Sequence, residues 1–189
     1  MSGRCNKIFS TSLVSFQGMK EGDRKEKISL FKVGGLCMIG DWIDKVAYPQ
    51  LPYMNQEELI SFFDEAQFAR LGTINEDGTI HMTPIFFKYD DGQILMATQE
   101  PSRKVRNIKR NNNVSVLIDT TDVPFKGALI YGKAELDYED VILKRVAIFE
   151  KRLSREDAET YARRLSGKWR CVIIRITPVH IASFDYSKA

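Results

Sequence analysis

Apolar and polar residues alternate over several short stretches of the chain, and this pattern predicts β-strands. The clearest case is residues 114–118, where Val114, Val116 and Ile118 occupy every second position. Successive side chains of a strand point to opposite faces, so such alternation is typical of a sheet with one buried face. We predict seven strands on this basis: 69–75, 79–89, 93–98, 114–119, 127–138, 171–176 and 179–184.

Short turn sequences separate the first three of these strands. Asp77-Gly78 lies between the first and second, and Asp90-Asp91-Gly92 lies between the second and third. Asp-Gly pairs favour the tight turns of β-hairpins, because both residues tolerate a positive φ. We therefore predict that consecutive strands pair antiparallel, mostly as neighbours in a meander.

Apolar residues spaced three or four apart predict helices before and after the strands. One helix is predicted to follow Asn55, which together with Glu58 has the spacing of a capping box. Two more helices are predicted after residue 138. Their apolar stripes are Ile142, Val146, Phe149 and Leu153 in the first, and Ala158, Tyr161, Ala162 and Leu165 in the second, which has the cap pair Ser154 and Asp157 and ends at Gly167.

The order of these elements predicts the fold class. Strands and helices do not alternate along the chain, which argues against a parallel doubly wound sheet. Short strands joined by tight turns, with helices late in the sequence, favour a mainly β, α+β fold. We predict an antiparallel β-barrel with short flanking helices, formed by residues 51–189.

Residues 1–50 differ from this domain in composition. The first twenty contain no acidic residue and lack the continuous apolar centre of a secretory signal. We consider three interpretations of these residues: an organellar targeting sequence, a later start of translation at Met38 or Met54, and an arm that docks on a partner subunit. We expect these fifty residues to form a poorly ordered or loosely attached extension.

Composition narrows the class of protein further. A hydrophobic content of 43% is ordinary for a soluble domain, and no apolar stretch approaches a membrane span. A net charge of +3 is too small to indicate nucleic-acid binding by itself. Three widely spaced cysteines favour a reducing cytoplasm, and the lone His81 and His180 predict no metal site. We therefore expect a cytoplasmic protein without membrane or nucleic-acid partners.

A short basic helix is predicted after Pro101. Ser102 is a suitable N-cap, and Arg103 and Lys104 follow in the first turn. Each cation there costs roughly 0.3–1 kcal/mol, because it faces the positive end of the helix dipole. A bound phosphate would offset this cost, since the free N–H groups at a helix start already attract anions. The alternative is that these basic residues are simply solvated.

Pro84 is a second irregularity, in the middle of the predicted strand 79–89. Proline has no N–H to donate, so the strand is locally at an edge or bulged. Backbone groups of residues 83–86 are then free to contact a ligand, and Lys88 is close enough in sequence to join them. A flat heterocycle on this strand, with its phosphate at the basic helix, would use both irregularities. The alternative is an ordinary barrel corner.

Several segments in order resemble the flavin-binding split-barrel superfamily typified by pyridoxamine 5′-phosphate oxidase. They are Thr83-Pro84-Ile85-Phe86-Phe87-Lys88-Tyr89-Asp90, Ala97-Thr98, Ser102-Arg103-Lys104, Asn112-Asn113-Val114-Ser115-Val116-Leu117 and Gly132-Lys133-Ala134-Glu135. The resemblance covers roughly residues 62–135, with a weaker continuation through Tyr186. It implies a split antiparallel barrel and a homodimer with two FMN molecules at its interface.

The resemblance also implies which residues bind FMN. Carried over by position, those along the flavin ring and ribityl chain are Thr83, Pro84, Ile85, Phe86, Phe87 and Lys88. Those at the phosphate end are Thr98, Ser102, Arg103 and Lys104, with Lys88. The implied activity is hydride transfer between the flavin and a small-molecule substrate at the dimer interface. No dedicated nucleophile or acid–base pair is visible, so the catalytic residues are not identified.

The chain also departs from true pyridoxamine 5′-phosphate oxidases. Thr83 stands where they have an arginine, and the glutamine that they have near Gly127 is absent here. The Arg- and His-bearing tail that follows their last strand is also absent from this sequence, which ends at Ala189. We therefore do not expect vitamin B6 oxidation, and the substrate stays open. Other members of the superfamily reduce different substrates with FMN, use a deazaflavin coenzyme or bind haem. The alternatives to an FMN-dependent oxidoreductase are therefore a deazaflavin-using enzyme, a non-catalytic flavin or haem carrier, and a regulatory binding module.

Overall fold

The computed structural model describes residues 52–189 except Lys168, together with three two-residue strands further upstream. Apart from these six residues, the predictions made for residues 1–50 concern residues outside this description, and they stay predictions. The strands are β1 (Lys32–Val33), β2 (Leu36–Cys37), β3 (Ile43–Asp44), β4 (Phe68–Ile74), β5 (Ile80–Asp90), β6 (Gln93–Gln99), β7 (Asn113–Asp119), β8 (Lys126–Asp137) and β9 (Cys171–Asp185). The helices are α1 (Gln56–Glu65), α2 (Arg103–Arg110), α3 (Val141–Phe149) and α4 (Arg155–Ser166), and Tyr186–Lys188 forms a final 3-10 turn.

Six of the strands close into an antiparallel barrel. Their hydrogen-bonded order is β9, β6, β5, β4, β7 and β8, and β8 pairs again with β9 to complete the ring. The succession from β4 through β5 to β6 is the predicted meander, with Asp91 and Gly92 in the predicted turn at φ of 44° and 78°. The antiparallel barrel with flanking helices that the sequence predicts is confirmed.

One prediction about the strands is wrong, because β9 continues through Pro178 as a single strand of 15 residues. Its pairing with β8 shifts by one residue beside Gly132, which leaves Val179 as a β-bulge. Only glycine fits there, since a Cβ on Gly132 would lie 2.8 Å from the carbonyl oxygen of Thr177. A bulge rather than a strand end therefore accommodates the proline.

Two apolar clusters hold the barrel and its helices together. The first fills the barrel and is covered at one end by α1; its largest fully buried members include Phe63, Phe87 and Ile130. The second lies between the outer face of the barrel and the helices α3 and α4, where Phe149 packs near Leu95 and Ile173. In β6 and β9, consecutive residues are buried, so both faces of these strands are covered. In β5, most residues are only partly buried or exposed.

The caps of α1 and α4 follow the sequence pattern, but one apolar stripe does not. The capping box of Asn55 with Glu58 is present, and α4 ends at Gly167 as predicted. In α3, Val146 and Phe149 are buried, whereas Ile142 is 42% exposed and Leu153 is 41% exposed. The predicted stripe fails at its ends because α3 stops at Phe149, four residues before Leu153, and Ile142 lies on the exposed side of the helix. Across the described residues, no helix is long and apolar enough to span a membrane.

Candidate functional site

A cleft opens along β5, which pairs with β4 over its first part and with β6 over its last part. Residues 80–86 of β5 pair with β4, and residues 87–90 pair with β6. Beyond Met96, β6 turns away from β5 and continues alongside β9. The first half of β5, which we call the half-strand (residues 80–86), therefore has β4 on one side and no strand partner in the described barrel on the other. Pro84 lies in this half, as expected for a residue without an N–H.

The half-strand presents different side chains on its two faces. His81, Thr83 and Ile85 alternate with Met82, Pro84 and Phe86, so the two sets point in opposite directions. Three of the predicted cofactor residues use their side chains for packing: Ile85 and Phe87 pack in the barrel core, and Phe86 contacts Phe149 with ring centroids 5.7 Å apart. Around Ile85 and Phe86, the backbone is therefore what a ligand in the cleft could contact.

The basic helix α2 starts at the end of the cleft. It begins at Arg103 as predicted, with Ser102 at the N-cap in extended conformation. Ser102 makes no capping hydrogen bond, however, and its buried Oγ has no partner within the described structure. The expected side-chain cap is therefore absent from the described structure. A helix start without a side-chain cap leaves its first N–H groups available to other acceptors.

The two cations of the first turn have different environments. Lys104 is partly buried, and its Nζ lies 3.4 Å from Thr98 Oγ1 at the end of β6. Burial lowers the pKa of Lys104 below its usual value, and the described residues provide no carboxylate within ion-pair distance of it. Arg103 is exposed. Its charge acts on His81 and on Asp77 in the turn between β4 and β5.

The structure brings some of the predicted site residues together and keeps others apart. Thr98, Ser102 and Lys104 lie around the start of α2, whereas Thr83 lies on the half-strand, where its hydroxyl contacts His81. Lys88 lies five residues beyond Thr83, about 16 Å along an extended strand, and on the opposite face. Its Nζ is 3.8 Å from Asp90 Oδ1, so it pairs locally. Its assigned contact with a cofactor stays a prediction.

A buried polar bridge that the sequence analysis did not identify fixes α2 to the barrel. Asn107 is 3% exposed, and its Nδ2 donates to Thr73 Oγ1 at 3.1 Å and to Asn75 Oδ1 at 2.9 Å. Thr73 in turn donates to the carbonyl oxygen of His81 at 3.4 Å. The sequence offered one signal of this bridge: Asn107 is the one uncharged polar residue of α2, and it lies three residues after Lys104.

These features fit a phosphate group. Three features meet at the start of α2: a helix start without a side-chain cap, a buried Ser102 hydroxyl without a partner in the described structure, and the desolvated cation of Lys104. A phosphate offers several acceptor oxygens and negative charge to all three kinds of donor. The described residues contain no group of three or more His, Cys, Asp or Glu able to hold a metal ion.

Comparison with known protein families gives one match. Residues 56–183, more than half of the chain, match the family model described as pyridoxamine 5′-phosphate oxidase. This range contains the whole cleft, α2 and most of the barrel. No curated protein matches the chain in sequence.

Solved structures share the fold. A conserved hypothetical protein from Mycobacterium tuberculosis is 25% identical, with a TM-score of 0.64 over 71% of this chain and 87% of the other. A structure named F420 reductase is 20% identical, with a TM-score of 0.52 over 64% and 93% of the two chains. An FAD-binding protein from Mesorhizobium loti is 19% identical, with a TM-score of 0.52 over 72% and 98%.

Proposed function

The chain belongs to the pyridoxamine 5′-phosphate oxidase family of split β-barrels, and on that premise we propose that it is an FMN-binding flavoprotein and an oxidoreductase. The observation that carries the proposal is the incomplete start of α2, where Ser102 leaves its hydroxyl unpaired and Lys104 is partly buried without an acidic partner in the described structure. A flavin phosphate would supply the missing negative charge and acceptor oxygens.

The residues proposed to hold the phosphate end are Thr98, Ser102, Arg103 and Lys104. Lys104 and the first N–H groups of α2 would bind the phosphate oxygens, and Ser102 would donate the hydrogen bond that it does not make within the described structure. Arg103, which is exposed, would add long-range attraction. Thr98 would orient the Lys104 ammonium through their 3.4 Å contact.

The half-strand is proposed to line the flavin ring and ribityl chain, from Thr83 to Phe86. Its backbone edge away from β4 is available because β6 has already diverged. Phe87 and Lys88 complete the proposed cofactor set at the point where β5 joins β6. Thr83 replaces the arginine of the vitamin B6 oxidases, so we propose a substrate other than pyridoxamine phosphate.

FMN supplies hydride transfer when bound, and the protein supplies position and electrostatics. Thr83 and the backbone of the half-strand would hold the ring in the cleft, while Lys104 and Arg103 would keep a positive potential at one end of it. A positive potential favours negative charge that develops on the cofactor or substrate during reduction. The substrate proposed is a small molecule that enters beside the half-strand.

We also propose a homodimer, formed through the outer face beside the half-strand. Ile80, Met82, Tyr131 and Val179 are 61%, 56%, 45% and 49% exposed there. They surround an apolar groove of about 460 Å³. Contiguous apolar surface of this kind is typical of protein interfaces. Ile80 and Met82 alternate with His81 and Thr83 on the half-strand, so a second copy on this face would border the cofactor cleft.

Absorbance spectroscopy with two matched variants tests the cofactor proposal. Purified protein mixed with FMN should retain a flavin spectrum after gel filtration. Lys104→Ala should weaken FMN binding by about tenfold or more, because a charge-assisted hydrogen bond to the phosphate is lost, and should weaken riboflavin binding less. Lys109→Ala is the control, since Lys109 lies on the same helix but pairs with Glu100.

Two outcomes would contradict the proposal. Protein that takes up no FMN would remove the flavoprotein assignment. Equal losses for FMN and riboflavin in Lys104→Ala would mean that the start of α2 is not the phosphate site. A Soret band instead of a flavin spectrum would indicate haem and favour the carrier alternative.

A deazaflavin coenzyme is the second candidate, favoured by the fold shared with a structure named F420 reductase. Binding of FMN and of the deazaflavin coenzyme, measured side by side by fluorescence, separates the two. We expect tighter binding of FMN, followed by its reduction with a nicotinamide donor. Tighter binding of the deazaflavin would transfer the proposed activity to that coenzyme.

Sedimentation analysis tests the dimer. Met82→Glu should convert a dimer to a monomer, because a buried unpaired carboxylate is costly at an interface. Leu143→Glu, which places the same charge at a residue of α3 that is 68% exposed, should leave the dimer intact. A monomeric wild-type protein, or a dimer unaffected by Met82→Glu, would contradict this interface.

A further inference from the structure

His81 lies on the half-strand and makes one side-chain hydrogen bond within it. Its Nε2 is 3.0 Å from Thr83 Oγ1, and both side chains project from the same face. The imidazole is partly buried. His81 therefore borders the cleft with Nε2 engaged by Thr83 and with Nδ1 making no hydrogen bond to the described residues.

The backbone of His81 is tied to the inner face of α2. In the barrel, His81 is paired with Thr73 of β4, and Thr73 Oγ1 joins the His81 carbonyl to Asn107. Asn107 follows Lys104 by three residues and Arg103 by four, so these residues lie on the same side of the helix. Thr73 thus links the half-strand at His81 to α2, and the imidazole shares the face of its cross-strand partner Thr73, which contacts the helix.

The charges that act on His81 are positive. Burial, then Lys104, then Arg103 lower the pKa of the imidazole below its usual value. The residue of β4 that faces it, Thr73, is uncharged, and Asp77 in the turn interacts with Arg103. In the free protein, burial and these two cations therefore disfavour the charged form of the imidazole.

We infer that His81 is an additional phosphate-binding residue and that its imidazole takes up a proton when the FMN phosphate binds. The inference rests on the proposed function and deepens it. A phosphate dianion placed among Lys104, Arg103 and His81 reverses the sign of the field at the imidazole, so the charged form becomes favourable. Protonation makes both ring nitrogens donors, one toward Thr83 Oγ1 and one toward a phosphate oxygen.

Proton uptake makes FMN affinity depend on pH. The complex then holds more protons than the separate components, so affinity rises as the pH falls from about 8 to about 6.5. Below about pH 6 the phosphate itself begins to lose its second charge, which limits the gain. The effect belongs to the phosphate end, so riboflavin affinity should not share it.

Isothermal titration calorimetry in buffers of different ionisation enthalpy measures the proton count. Near neutral pH, wild-type protein should take up on the order of one proton more than His81→Asn when FMN binds. The chain has two histidines, and His180→Asn should retain the wild-type count because His180 lies on β9 opposite Tyr131. Riboflavin should show no difference between wild type and His81→Asn. FMN affinity of the two proteins should diverge by about three- to tenfold toward lower pH.

NMR gives a second measurement that leaves His81 in place. His180→Asn retains a single histidine, so its ring signals report His81 directly. Saturation with FMN should move the titration of this ring to higher pH, and riboflavin should not. The inference is overturned if His81→Asn binds FMN with the wild-type proton count, or if the His81 titration is the same with and without FMN. Failure to bind FMN at any pH would overturn the proposed function as well, whereas FMN binding without these proton effects overturns only the role of His81.

Discussion

The helices α4 and α2 both begin after a serine, yet the two helix starts are built differently. In α4, Ser154 Oγ accepts from the Asp157 N–H at 3.1 Å, and the first turn carries acidic residues. In α2, Ser102 makes no such bond, and the first turn carries Arg103 and Lys104 without any acid. The same N-cap residue thus completes one helix start and leaves the other open.

The difference indicates where each helix start obtains its compensating charge. The start of α4 is complete within the chain, because an acidic first turn suits the positive end of the helix dipole. The start of α2 has the opposite charge and a hydroxyl without a partner among the described residues, while Asn107 holds the helix against β4. A rigid helix with an open, cationic start is suited to an anion from outside the protein.

Among the substitutions that test this difference between α2 and α4, charge reversal at Lys104 should have the largest effect, and the affected quantity is FMN affinity. Lys104→Glu removes a phosphate contact and adds repulsion, so FMN affinity should fall by at least about 100-fold in a fluorescence titration. In the absence of FMN, the same variant should be more stable by about 0.3–1 kcal/mol in urea unfolding, because an acid at the first turn suits the helix dipole.

Arg155→Glu is the matched control for this reversal. Arg155 is the first residue of α4, and its side chain is 78% exposed. FMN affinity should be unchanged in this variant. A loss of FMN affinity as large as that of Lys104→Glu, or a Lys104→Glu protein that binds FMN normally, would mean that the two helix starts do not differ in function.

The C-terminal end of α1 provides the next largest test. There Lys151 Nζ donates to the carbonyl oxygens of Phe63 and Ala66 at 2.7 and 3.1 Å. Burial, reinforced by Arg152, lowers the pKa of Lys151 from 10.5 to about 8. The unfolded chain therefore binds more protons than the folded protein between pH 8 and 10.5, so stability should rise with pH across that range.

Urea unfolding of wild type and Lys151→Met at several pH values measures this term. The wild type should gain on the order of 2 kcal/mol relative to the variant as the pH rises, after allowing for partial solvation of the side chain. A difference that stays constant with pH would show that α1 is completed by an unperturbed lysine. Such a result would weaken the contrast between the internally satisfied α1 and the open α2.

Truncation of the two N-cap serines should have a moderate and asymmetric effect. Ser154→Ala should lower the free energy of unfolding by about 1 kcal/mol, because α4 loses a capping bond. Ser102→Ala should change it little or raise it in the absence of ligand, since an unpaired buried hydroxyl is removed. Thermal unfolding without and with FMN measures both. Equal destabilisation by the two substitutions would indicate that Ser102 caps α2 after all.

Sequence alone predicted the features that depend on residues close together in the chain. The capping box of Asn55 and Glu58 spans three residues, and the hairpin turn at Asp91 and Gly92 needs only their tolerance of positive φ. The basic helix after Pro101 was predicted for the same reason. Each of these signals is local, so tertiary contacts had little opportunity to override it.

The missed features depend on residues far apart in the chain. The continuity of β9 through Pro178 needs the close approach that Gly132 on β8 permits. The orientation of Ser102 depends on how α2 docks, and that is fixed by the bond from Asn107 to Thr73, 34 residues away in sequence. The proximity of His81 to the same helix follows only from the register of β4 with β5.

The smallest expected effect is the loss of the α1 capping box at low pH, when Glu58 is protonated. In its capping box, Glu58 accepts from the Asn55 N–H at 2.7 Å, and the Lys188 ammonium and this N–H lower the pKa of the carboxyl below 4.5. A lowered pKa in the folded state means that this contribution is present above pH 4.5 and is lost as the pH falls through the folded pKa. The group is solvated, so the loss is small. Protection factors of the first-turn amides of α1, which correct exchange rates for their intrinsic pH dependence, should fall on acidification in wild type but not in Glu58→Gln, whose cap no longer titrates. The first turn of α2 contains no acid, so its amides should show no corresponding acid step. An acid step at α2, or the same acid response in Glu58→Gln and wild type, would contradict the view that α1 is completed by its own carboxylate and α2 is not.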